Sequence, residues 1–107
     1  MTTFDDREDR FAKKVAMDAE LKFKAEARRN KLLGLWAAEL LGKSGADAEA
    51  YAKEVIKSDF EEAGDEDVFR KIRKDFDAAG VDQSDHQIRR QMEALLATAR
   101  EQVANEG

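Results

Sequence analysis

Leu32-Leu33-Gly34-Leu35-Trp36-Ala37-Ala38-Glu39-Leu40-Leu41 carries one charge in ten residues, whereas Phe4-Asp5-Asp6-Arg7-Glu8-Asp9-Arg10-Phe11 carries six in eight. No proline lies between Phe4 and Leu41, and Gly34 is the single glycine of that span. Nothing in the covalent chain therefore stops one helical path from joining the two segments. The apolar segment is suited to burial on nearly every side, which predicts the most surrounded helix of a small core. The charged segment cannot be buried alone in a core of this size, because unpaired charges are costly to desolvate. A helix former of that kind, attached to the most buried helix, reads as an arm offered to a partner.

The surrounding chain bounds what the core can be. Its 107 residues suit one domain. Charged residues make up 40% and hydrophobic ones 42%, so the chain is soluble yet able to fold. The absence of cysteine excludes disulfide scaffolds, thiol catalysis and cysteine-ligated metals. No apolar run approaches the roughly 18 residues that span a bilayer, so no direct membrane insertion is expected. The N-terminus lacks the basic-then-apolar order of a secretory signal, and a cytoplasmic protein is expected. Residues 1–31 hold nine basic and seven acidic side chains (+2), and residues 32–107 hold ten and seventeen (−7), which together give the net −5. Neither half has the basic face of a nucleic-acid binder. An acidic body with a mixed-charge arm fits a protein partner.

The alanine, leucine, glutamate, lysine and arginine content and the zero proline count predict an all-α chain. Four helices are expected, over 20–41, 47–63, 65–79 and 84–104. Gly42 is placed to end the first as a left-handed terminator. Asp47 is the expected N-cap of the second, whose apolar stripe is Ala52, Val55, Ile56, Phe60 and Ala63, with Gly64 at its end. The third starts in Asp65-Glu66-Asp67, favourable charge for a helix N-terminus, and continues through Val68, Phe69, Ile72, Phe76 and Ala79 to Gly80. Ser84 with Gln87 forms a capping box ahead of Ile88, Met92, Leu95, Leu96, Ala99 and Val103 at three- and four-residue steps. Short connections fold such helices back on one another. The result is a four-helix bundle over 20–107 with an N-terminal arm over 1–19. Gly34 costs about 1 kcal/mol against alanine in mid-helix, which points to a close neighbour there, a second helix or Trp36.

The arm is weakly amphipathic. Phe4, Phe11 and Val15 recur at seven- and four-residue spacing, and Asp6–Arg10 and Asp9–Lys13 are acid-to-base pairs of the helix-favouring kind. Helix nucleation is costly, so the free arm is expected to be disordered or nascent helix, ready to order on contact. Phe4 and Phe11 have two readings: satellite core folded back on the bundle, or anchors for a partner groove in the helix-in-groove mode. Arg28-Arg29-Asn30-Lys31 is either a basic contact patch or the polar end of a helix turn.

Other motifs favour plain readings. Leu41-Gly42-Lys43-Ser44 has Ala37 where a phosphate-binding loop needs glycine, and a helix in place of the strand; it reads as a helix-terminating turn. His86, the sole histidine, reads as an exposed helix-start residue. Glu61-Glu62 and Asp65-Glu66-Asp67 lack the calcium-loop pattern and read as solvated helix ends. Paired carboxylates for catalysis need a concave pocket, and an enzyme is not expected.

Phe4-Asp5-Asp6-Arg7-Glu8, the run from Phe23 to Gly42 (Phe23-Lys24-Ala25-Glu26-Ala27-Arg28-Arg29-Asn30-Lys31-Leu32 and onward), Ala48-Glu49-Ala50-Tyr51-Ala52-Lys53-Glu54-Val55 and Asp59-Phe60-Glu61-Glu62-Ala63-Gly64 together resemble the zeta subunits, ATPase inhibitors, of alphaproteobacterial F-type ATP synthases. The resemblance implies a four-helix bundle with a mobile N-terminal arm that inhibits ATP hydrolysis by the F1 sector. It implies insertion of that arm as a helix into a catalytic α/β interface, near the central stalk. Phe4, Phe11 and Val15 would then supply apolar anchoring, and Asp5, Asp6, Arg7, Glu8 and Lys14 paired polar contacts. It implies a monomer when free, held at the cytoplasmic side of the inner membrane through the synthase. It implies no required cofactor, and weak adenine-nucleotide binding at a site the residues do not place. The arm departs from the family pattern at Asp9, at Val15 in place of phenylalanine, and at Met17 in place of histidine, which leaves the arm without a titratable switch. The alternatives are a small adenine-nucleotide-binding helical sensor and a general helical adaptor.

Overall fold

A computed structural model of the chain describes residues 3–59 and 65–106, with side chains from residue 19 onward. Four helices follow in order: α1 Thr3–Leu40, α2 Gly45–Ser58, α3 Glu66–Ala79 and α4 Asp85–Glu106. The chain is all-α and forms a four-helix bundle. The helix expected over 20–41 starts earlier, at Thr3, and its 38 residues form one element, about 57 Å long at 1.5 Å per residue. With no proline and with Gly34 as its single glycine, no sequence signal interrupts it.

The helix ends are built as the glycines require. The Lys43 amide donates to the Ala38 carbonyl (2.8 Å) and the Gly42 amide to that of Glu39 (3.1 Å). The Val81 amide donates to the Phe76 carbonyl (2.9 Å) and the Gly80 amide to that of Asp77 (3.3 Å). Both are Schellman closures, with φ of +78° at Gly42 and +70° at Gly80, where a Cβ would be strained. The capping box is present in both directions: the Gln87 amide donates to Ser84 Oγ (3.1 Å) and the Ser84 amide to Gln87 Oε1 (2.8 Å).

The start of α2 departs from expectation. Ser44, in extended conformation, holds the N-cap position, and Asp47 lies in the first helical turn. Gly45 at φ +57° brings the chain into the helix two residues early, and Asp47 there still offsets the positive end of the helix dipole. Helix α2 ends at Ser58, capped by Asp59. Phe60, Ala63 and Gly64, expected to complete it, lie outside the described residues.

The core gathers Leu33, Ala37 and Ala38 of α1, Tyr51 and Val55 of α2, Val68, Ile72 and Phe76 of α3, and Ile88 and Met92 of α4. Trp36 meets the Phe76 ring edge-on, centroids 5.7 Å apart. Helix α1 packs chiefly against α2 and α4. Gly34 is where α1 and α2 come closest. A Cβ at that position would lie 2.6 Å from the Ala52 Cα, which is backbone and cannot turn aside. The close neighbour expected at Gly34 is thus α2. The expectation that Leu32–Leu41 is buried on nearly every side is too broad: Leu40 is 39% exposed and Glu39 faces solvent. Helices α2 and α4 cover one broad face of α1, and Glu39 and Leu40 lie on the flank left to solvent.

Candidate functional site

The arm is placed by the backbone of α1. Phe4, Asp5, Asp6, Arg7, Glu8, Phe11, Lys14 and Val15 fall within its helical span, but their side chains lie outside the described residues. Between residues 19 and 24 the helix is largely uncovered by the body. Ala19, Glu20, Lys22, Phe23 and Lys24 are exposed, Leu21 is half-buried, and Ala25 is the first buried residue. Glu20 and Lys24 form an exposed i,i+4 ion pair at 3.1 Å, of the kind that supports a helix without tertiary cover.

The body takes hold of α1 one turn later. Arg28 reaches the far end of α4, donating from Nη1 to Gln102 Oε1 (3.0 Å) and from Nη2 to Glu106 Oε2 (2.8 Å). Arg29 and Asn30 are buried, and Arg29 Nε donates to Asn30 Oδ1 at 2.8 Å. The Arg29 guanidinium also lies 3.8 Å from the Asp65 carboxylate at the start of α3. Of the Arg28–Lys31 run, Lys31 alone is exposed. Neither a contact patch nor a solvated turn describes it; it locks α1 against α3 and α4.

The acidic run is likewise engaged. Glu66 accepts from Arg89 (2.6 Å), whose guanidinium lies over the Phe69 ring at 4.0 Å. Asp67 is buried, 3.8 Å from Arg70. These residues are therefore not simply solvated helix ends. Glu61 and Glu62 lie outside the described residues. Among the described residues no group of acidic or histidine side chains is arranged to hold a metal ion. His86 is exposed in the first turn of α4, as expected.

Two further polar features belong to the body. Tyr51 is buried, and its hydroxyl donates to Asp75 Oδ2 at 2.7 Å. Lys71 donates to the same oxygen at 3.0 Å and lies over the Tyr51 ring. Burial pushes the Tyr51 phenol well above its ordinary pKa, and the hydrogen bond to Asp75 adds to the effect. A cleft of about 120 Å³ is lined by Arg29, Asp65, Arg89, Met92, Glu93 and Leu96. It falls well short of the roughly 300 Å³ at the lower end of small-molecule sites, too small to enclose a nucleotide. Sequence reasoning missed Tyr51 and Asp75. Their spacing of 24 residues carries no local signal.

The described geometry is that of a body with a projecting helix, and comparison with known proteins shows what kind. The family model for ATPase inhibitor subunit zeta matches residues 1–102. The chain belongs to that family. A protein solved in solution by NMR is 54% identical, with a TM-score of 0.72 over 81% of this chain and 99% of its own. No curated protein matches. Membership makes the chain an inhibitor subunit and not a catalyst. Among the described residues no helix is long and apolar enough to cross a membrane.

Proposed function

We propose that this zeta-family subunit blocks ATP hydrolysis by an F-type ATP synthase by inserting its N-terminal arm, as a helix, into a catalytic α/β interface of the F1 sector. The observation that carries the reading is the division of α1 from residue 19 on: none of residues 19–24 is buried, Ala25 is, and all belong to the same helix. In an inhibitor subunit, a helix that its own body leaves uncovered is the element available to a partner. Phe4, Phe11 and Val15 recur at a spacing that suits apolar anchoring in a groove. Asp5, Asp6, Arg7, Glu8 and Lys14 between and beside them supply charges that set orientation and reject wrong partners.

A catalytic interface opens and closes once per turnover, so a helix wedged in it stalls hydrolysis without chemistry of its own. The bundle of four packed helices is broader than the single helix of the arm and limits how far it enters. The free chain is a monomer in this reading, and the helix of the arm over 1–19 is stabilised when it binds. The subunit resides in the cytoplasm, at the cytoplasmic side of the inner membrane where the synthase holds it, and it needs no cofactor.

Deleting residues 2–14 and assaying ATP hydrolysis by purified F1 from the same source tests the reading. Inhibition is expected to disappear while the bundle stays folded. Equal inhibition by truncated and intact proteins would sink it.

A further inference from the structure

Phe23 is the most exposed large apolar side chain among the described residues, with 64% of its surface open to solvent. It is followed at Arg28 by the grip on Gln102 and Glu106 that marks the end of the body. Those five residues of helix put Phe23 about 7 Å beyond that grip. A solitary exposed apolar side chain is ordinary on a protein surface. Phe23 is distinguished by its position: Phe11, Val15 and Ala19 precede it at four-residue steps of the same helix. Such i, i+4 steps define one ridge of a helix, the ridge that packs into a partner's groove. Exposed Lys22 and Lys24 flank it. Phe23 is not part of the hydrophobic core cluster of the body.

We infer that Phe23 is the last anchor of the inhibitory helix, seated at the mouth of the interface that receives the arm, in an apolar hollow edged by acidic side chains that face Lys22 and Lys24. This rests on the arm-insertion reading and extends its contact surface from Val15 to the edge of the bundle. Insertion depth then has a physical definition. The helix enters until Phe23 is covered, and the Arg28–Glu106 junction meets the partner's rim. Aromatic anchors in desolvated pockets carry a large share of binding energy, so the residue tunes affinity without touching the catalytic chemistry.

The test is a titration of F1 ATP hydrolysis with five proteins: the intact chain, Phe23→Ala, Phe23→Leu, Leu40→Ala and the chain lacking residues 2–14. Leu40, the other exposed large apolar side chain among the described residues, lies 39% open at the far end of α1 and controls for general loss of hydrophobic surface. Phe23→Ala is expected to raise the half-inhibitory concentration about tenfold with an unchanged thermal midpoint, and Phe23→Leu to recover most of the loss. Leu40→Ala is expected to inhibit as the intact chain does. If Phe23→Ala matches the intact chain while the truncated protein is inactive, the inference fails and arm insertion stands. If the truncated protein also inhibits fully, both fail. A lowered thermal midpoint for Phe23→Ala would make the residue structural and overturn the inference. A dimer seen by sedimentation and abolished by Phe23→Ala would do the same, by assigning its cover to a second copy.

Discussion

Helix α1 contains two regions with opposite physics. From Ala25 to Leu40 its stability comes from outside: Leu33, Ala37 and Ala38 are fully buried, Gly34 admits the α2 backbone, and Arg28 and Arg29 bind it to α4 and α3. From residue 19 to Lys24 the helix has exposed side chains, one half-buried leucine and a single i,i+4 ion pair. Such a pair is worth a few tenths of a kcal/mol, far too little to offset the cost of ordering helix residues at roughly 1 kcal/mol each. The same secondary structure is thus imposed by packing in one region and has little packing to support it in the other. In the proposed mechanism that division separates the part that must stay folded from the part that must bind.

The comparison is broken most directly in the packed region. Leu33→Ala removes a fully buried side chain and should cost about 2–5 kcal/mol. Gly34→Ala sets a methyl against Ala52 and should cost about 1–2 kcal/mol, overpacking outweighing the gain in helix propensity. Urea unfolding followed by circular dichroism reads both. A midpoint unchanged by either substitution would mean that α1 is not held by the body.

A smaller effect comes from Tyr51, which packs with this region of α1. Its phenol has a folded-state pKa raised above the unfolded value of about 10. The folded protein therefore retains a proton that the unfolded chain releases. The stabilisation is fully present below about pH 10 and declines as pH rises further, by up to about 1.4 kcal/mol per pH unit. Tyr51→Phe lacks this slope. Urea midpoints of the two proteins should converge between pH 9 and 11, and parallel curves would contradict the burial of an uncharged phenol.

Much of the fold was legible because its signals are local. The Ser84–Gln87 box, the glycines at 42 and 80 and the stripes through Val68, Ile72, Phe76 and through Ile88, Met92, Ala99 each involve neighbours within a few residues. What escaped depends on partners distant in sequence. Arg29 and Asn30 read as polar surface, yet they are buried where α1 meets the start of α3. Tyr51 sits at the edge of its stripe and is buried through Asp75. Asp47 carried the composition of an N-cap, but the positive φ of Gly45 decided where α2 begins. At the site, the spacing of Phe4, Phe11 and Val15 was readable, whereas the limit of the uncovered helix was not. That limit depends on the contacts of Arg28 with Gln102 and Glu106, distant in sequence.

Amide hydrogen exchange, recorded on the free protein and on its complex with F1, tests the division of α1 most directly. Amides of Leu33 to Leu40 should be strongly protected in both states, and those from Thr3 to Lys24 should exchange fast in the free protein and become protected in the complex. Equal protection of the two regions in the free protein, or an arm that stays unprotected when F1 is inhibited, would contradict the account.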